Sequence, residues 1–289
     1  MLALLSLCIL AATTSRAGES DNELQTRPKI KPYPPGSLNS RLLAGTPEHD
    51  SSVKNWTESA TLQDAIPLAC YDAVKREGLN PADVEVFTVT YDDCSTPWEL
   101  CRHQDAERNL PTVRSLHSKI PVRARELLPY ALHLPGPERA YRTSEILVLG
   151  GKPDFLTIMH QVGRAIDDNC GFPGKDRRCS DTETWRNAFD RDTYVVDDIA
   201  RTSQAENFAQ IVIHTVVNLN FPGGLASMGA TTDGQFSQNL YDDEVKVQTQ
   251  YCGPYLVANP DDKCDNFRPK REYVSKSTGE KIEDPFKAT

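Results

Sequence analysis

The residue types best suited to chemistry lie on two stretches of the chain. The first is Asp154-Phe155-Leu156-Thr157-Ile158-Met159-His160-Gln161-Val162-Gly163-Arg164-Ala165-Ile166-Asp167. Helical spacing carries Phe155, Ile158, Val162, Ala165 and Ile166 to one side and His160, Arg164 and Asp167 to the other, a polar site backed by core. The second is Ser203-Gln204-Ala205-Glu206-Asn207-Phe208-Ala209-Gln210. A helix continuing to Val217 would bury Ala205, Phe208, Val212 and Val216 and leave Glu206 to face the His160 helix. An imidazole and a carboxylate are metal-ligand types, but Gln161 has no carboxylate to act as a base. Arg164 is a permanent cation that pairs with carboxylates and is no ordinary metal ligand.

The first stretch resembles the active-site helix of zincin metallopeptidases, whose pattern is His-Glu-x-x-His. Here the matching positions read His160-Gln161-Val162-Gly163-Arg164. One ligand position survives; the general base and the second histidine do not. Ser203–Gln210 looks like the downstream segment that supplies a third ligand in some zincins, which makes Glu206 the ligand-type carboxylate. Asp83 through Arg102, with Val84–Trp98 and Cys101, adds a similarity to a secreted fungal conidiation-specific family. The resemblance implies an α+β, zincin-like mixed fold: a small sheet and two facing helices around a degenerate metal-site region.

The elements that must position these residues are legible in part. Leu62 to Glu77 has one apolar helical side, with Pro67 bending or delaying the helix. Val84 to Thr90 alternates as a strand, Leu110 to Leu132 reads as helix divided by Pro111, Pro121 and Pro129, and Ile146 to Leu149 reads as a short strand. The 289 residues, 38% of them apolar, suffice for one substantial core. A net charge of -9 argues against a nucleic-acid-coating surface.

Residues 1–17 read as a signal peptide, 18–50 as a flexible N-terminal arm, 51–264 as the zincin-like domain and 265–289 as a charged C-terminal tail. No later apolar run is long enough to span a membrane. Secretion into an oxidising compartment makes Cys94–Cys101, Cys170–Cys179 and Cys252–Cys264 the simplest disulfides, with Cys70 a buried thiol. Asn55-Trp56-Thr57 is a glycosylation candidate.

These readings converge on a secreted, extracellular pseudoenzyme of zincin ancestry. It has no catalytic residue and no cofactor, and it works as a binding or structural module for an extracellular protein, peptide or glycan. A monomer suffices, and neither nucleic acid nor membrane is a partner. Arg164 would take the missing metal's place by bonding Glu206, with His160 and Asp167 completing the network. The alternative is a divergent zinc-dependent peptidase using His160 and Glu206, with Asp167, Asp168 or His214 as third ligand and a base other than Gln161.

Overall fold

The computed structural model describes residues 23–30, 32–59, 62–143, 145–228, 242–258, 263–265 and 271–286. The signal-peptide segment, residues 1–17, lies outside them. The strands are β1 (Ser51–Asn55), β2 (Ala65–Pro67), the alternating β3 (Val84–Tyr91), β4 (Trp98–His103), β5 (Tyr130–Leu134), β6 (Arg139–Arg142) and β7 (Ile146–Gly150), followed late in the chain by β8 (Tyr273–Ser275) and β9 (Lys281–Ile282). Six of these form an open sheet in the order β1-β3-β4-β5-β7-β6, and β2-β8-β9 form a second one. The large sheet is mixed: β4, β5 and β7 run parallel, while β1, β3 and the edge strand β6 pair antiparallel.

Period-two alternation gives the large sheet two apolar faces. Phe87, Val89, Ala131, Leu147 and Leu149 face a core shared with the long helices. Val86, Cys101, Leu132, Ile146 and Val148 face a second core with Trp56, the helix Leu68–Arg76 and Tyr273. Pro67 delays that helix, because the residues before it are β2 and Pro67 itself stands at the N-cap. In the proline-divided stretch, Leu110–Ser118 and Val122–Glu126 are helical, but residues 130–132 belong to β5. Their side chains are needed on both faces of a buried parallel strand, which overrides the helical pattern.

The face split also corrects the disulfides. Cys101 sits on the face of Cys70, and Cys94 on the opposite one. Sequence-near cysteines on opposite sheet faces cannot bond. The bonds are therefore Cys70–Cys101 and Cys94–Cys264, together with Cys170–Cys179, and Cys252 is a buried free thiol.

Residues 23–30, 32–45 and 271–286 pack more closely than their composition suggests. Leu24, Ile30 and Leu42 of the supposed flexible arm enter the main core. Ile30 N donates to Val195 O at 3.0 Å, and the helix Ser37–Gly45 lies against the His160 and Glu206 helices. In the supposed tail, β8 pairs with β2, and Phe286 packs 5.2 Å from the Trp56 ring. No described helix is long and apolar enough to cross a membrane.

Candidate functional site

The two helices carrying the site, Phe155–Asn169 and Gln204–Asn220, are each set by a side-chain cap. Asp154 accepts from Thr157 N at 2.9 Å, and Ser203 accepts from Glu206 N at 3.2 Å. They cross at Gly163, where a Cβ would lie 2.8 Å from the Ala209 carbonyl oxygen and 2.9 Å from its Cα. Only a glycine permits that approach, and it is what brings His160 and Arg164, on either side of Gly163, within reach of Glu206.

His160 Nε2 lies 2.7 Å from Glu206 Oε2, and the Arg164 guanidinium bonds Glu206 Oε1. Each carboxylate oxygen thus has its own nitrogen partner. The hydrogen bond from His160, aided by Arg164, holds the Glu206 carboxyl below its usual range against the opposing effect of burial. Arg164 is fixed from behind as well, since Arg142 of the edge strand β6 donates to the Arg164 carbonyl at 2.9 Å.

Asp167 does not join this network, contrary to the helical-wheel expectation. It turns into the core, where Ser180 N and Ser180 Oγ each donate to it at 2.7 Å. Burial pushes its carboxyl up to about 6. The Cys170–Cys179 disulfide explains the turn, because it folds the following loop back so that Ser180 meets Asp167. Asp168 is engaged by Arg142, and His214 lies buried with Nδ1 2.9 Å from the Gln210 carbonyl. Gln161 lines the groove beside His160.

The donor set does not fit a zinc centre. Catalytic zinc takes three protein ligands, and here only His160 and Glu206 are of ligand type, already paired with each other, while the Arg164 guanidinium occupies the other oxygen of Glu206. None of Asp167, Asp168 and His214 completes a three-ligand cluster with His160 and Glu206 among the described residues. Two other groups have metal-binding residue types: Cys94, Glu126 and Cys264, and His49, Asp92 and Asp93. The first has no thiolate to offer, since its cysteines are bonded to each other. In the second, His49 Nδ1 is 2.8 Å from Asp92 Oδ1, and Asp93 bears the buried Arg125 guanidinium.

Sequence reasoning missed the groove around the site. It has a volume of about 610 Å3, and its walls include Tyr33, Leu38, Asp154, His160, Asp197 and His214. Asp154 was readable as an N-cap three residues before Thr157, but nothing local linked Tyr33 or Asp197 to it. At the glycosylation candidate, Asn55 Oδ1 accepts from Thr57 N at 3.0 Å, on the short turn after β1.

No solved structure matches the chain. Conidiation-specific protein 13 of Neurospora crassa is 26% identical over 179 residues, covering 61% of this chain and 49% of that protein. The chain thus spans about half the length of the curated relative it matches. Residues 48–228 match the family described as conidiation-specific protein Con-13, a stretch holding the six-stranded sheet, both site helices and the His160–Arg164–Glu206 network. This chain belongs to the conidiation-specific protein Con-13 family.

Proposed function

We propose that the chain is a secreted, zincin-derived domain that has given up metal-dependent hydrolysis and serves as an extracellular binding module. The observation carrying this reading is the arrangement of Arg164 and His160 on the two oxygens of Glu206. A guanidinium in that position supplies the positive charge a metal would have supplied, but it activates no water, and Gln161 cannot take a proton from one. Three disulfides support an oxidising compartment, and the sequon asparagine, Asn55, half-buried at the end of β1, is where a glycan would attach. The groove bordering His160 supports binding as the retained activity over a purely structural role.

The test is zinc titration of the full chain against a chromophoric chelator, with a peptide-library cleavage assay on the same sample. The expected outcome is no stoichiometric zinc and no cleavage above that of the Glu206→Ala variant. Tight zinc lost in both His160→Ala and Glu206→Ala, with metal-dependent cleavage, would establish the divergent peptidase instead.

A further inference from the structure

The N-terminal segment crosses the site as a strap held at both ends. On one side, Val195 N donates to Pro28 O at 2.9 Å and Lys29 pairs with Asp198 at 2.6 Å. On the other, Leu42 is buried in the main core. Between these anchors Tyr33 lies over His214, ring centroids 5.7 Å apart. The strap precedes the family-matched residues 48–228, whereas His160 and His214 lie within them. The floor of the groove therefore belongs to the shared domain and its roof to the preceding segment.

The volume of this half-open groove, about 610 Å3, falls within that of a small-molecule site, which typically spans roughly 300–1,000 Å3. Its apolar walls include Tyr33, Leu38, Leu156, Ile199 and Ile213. Its polar complement is one-sided: Asp154 and Asp197 line it, and no lysine or arginine does among the described residues. Asp154 Oδ1 and Asp197 Oδ1 accept local backbone N–H groups at 2.9 and 2.8 Å, while the second oxygen of each has no hydrogen bond among the described residues. Two other lining residues hold buried atoms without a partner, Asn39 Oδ1 and His160 Nδ1. Buried polar atoms are ordinarily satisfied, and the two unsatisfied ones here, Asn39 Oδ1 and His160 Nδ1, join the exposed Asp154 and half-buried Asp197 carboxylates in calling for a donor.

We infer that the groove binds a small amphipathic organic cation of the amine class. Its apolar body lies between Tyr33 and the Leu156 and Ile213 walls, and its ammonium is held by Asp154 and Asp197. Donor count, charge and shape all select this class. An ammonium brings three donors and no acceptor, it complements the two carboxylates, and an adjacent tyrosine face attracts it further. A carboxylate or phosphate ligand would meet like charge from Asp154 and Asp197 and no lining lysine or arginine among the described residues. The inference rests on the proposal above, because a divalent metal between His160 and Glu206 would repel a neighbouring ammonium.

The experiment titrates the full chain, treated with chelator, with phenethylamine, its neutral isostere 2-phenylethanol and the anion phenylacetate, followed by ligand-detected NMR. Phenethylamine is expected to bind saturably, one per chain, and more tightly than 2-phenylethanol by about tenfold or more. Phenylacetate is expected to bind more weakly still. Asp154→Asn combined with Asp197→Asn preserves the capping oxygens and should erase the amine preference without shifting the thermal midpoint. Ile199→Lys, at a position 49% exposed, places a cation on the rim without disturbing the caps and should abolish amine binding. Equal binding of amine and alcohol, a preference for phenylacetate, no saturable amine binding at millimolar concentration, or full selectivity retained in these variants would overturn the inference. Zinc content measured on the untreated sample separates the two readings. Zinc on His160 and Glu206 defeats the proposed function, and a zinc-free protein with no amine preference defeats this inference alone.

Discussion

Arg125 with Asp93 and Arg164 with Glu206 are the same chemical pair in two settings. Arg125 and Asp93 have side chains 0% and 1% exposed, with the guanidinium 4.5 and 4.4 Å from the Tyr91 and Trp98 ring centroids. The Cys94–Cys264 bond lies next to Asp93 in the chain. Arg164 and Glu206 are 32% and 21% exposed, and the histidine that shares Glu206 with Arg164, His160, lines a groove. Burial decides what each pair can do. A sealed ion pair has lost its hydration and survives only while both partners remain, whereas a half-exposed pair can be reorganised by water at little loss. The first is therefore a structural clamp, and the second is suited to a surface that meets other molecules.

The sharpest way to break this contrast is to remove one partner from the sealed pair. Arg125→Met leaves Asp93 buried, and its Oδ1 already has no hydrogen-bond partner. Stability should fall by about 3–5 kcal/mol, read as a large drop in the denaturant midpoint at constant slope. The double variant Arg125→Met with Asp93→Leu removes both charges and should recover much of that loss. If the single variant unfolds at nearly the parent's midpoint, the clamp reading is wrong.

Most of what positions the site was legible because it depends on periodicity. The buried faces of both site helices and the strand at Val84–Thr90 follow from spacing of about 3.6 or 2, whereas the meeting of His160 with Glu206 is an expectation of the zincin resemblance. What stayed hidden depends on contacts distant in sequence. Cys94 and Cys101 are close neighbours along the chain, yet the sheet between them sends each to a far partner, Cys264 and Cys70. The prolines at 28, 32, 34 and 35 imitate a linker, while the residues that anchor it, Leu24, Ile30 and Leu42, are too sparse to show a period. Glu206 stands three residues after the capping Ser203, as in an ordinary helix-start signature, and only the facing helix reveals that its carboxylate is used elsewhere.

A middle-sized effect tests the contrast along a single helix, between Arg164 and Asp167. Burial raises Asp167, and separately Asp192, to about 6 from 3.8. Below 3.8 folded and unfolded chains are both protonated at these sites, so the neutral buried acids carry no penalty. As pH rises toward 6 the unfolded chain ionises first, and stability from these groups is lost through that window. Asp167→Asn keeps an acceptor for Ser180 and should flatten the Asp167 share of the loss, on the order of 2 kcal/mol. The measurement is the difference in thermal midpoint between parent and variant at either end of the window, and a difference independent of pH would refute a buried, neutral Asp167.

The smallest effect belongs to the half-exposed pair itself. Arg164→Met removes a guanidinium whose partner, 21% exposed, keeps a second nitrogen, His160 Nε2 at 2.7 Å. Loss of stability should be about 1 kcal/mol or less, and it should shrink further in high salt, where a half-exposed pair is screened. The Arg125→Met loss should be nearly indifferent to salt, because ions do not reach a sealed pair. Running both variants through the same salt series therefore compares the two settings directly. If Arg164→Met proves as damaging as Arg125→Met and as insensitive to salt, then the bond to Glu206 is holding the two helices together, and the site belongs to the scaffold instead of to a binding surface.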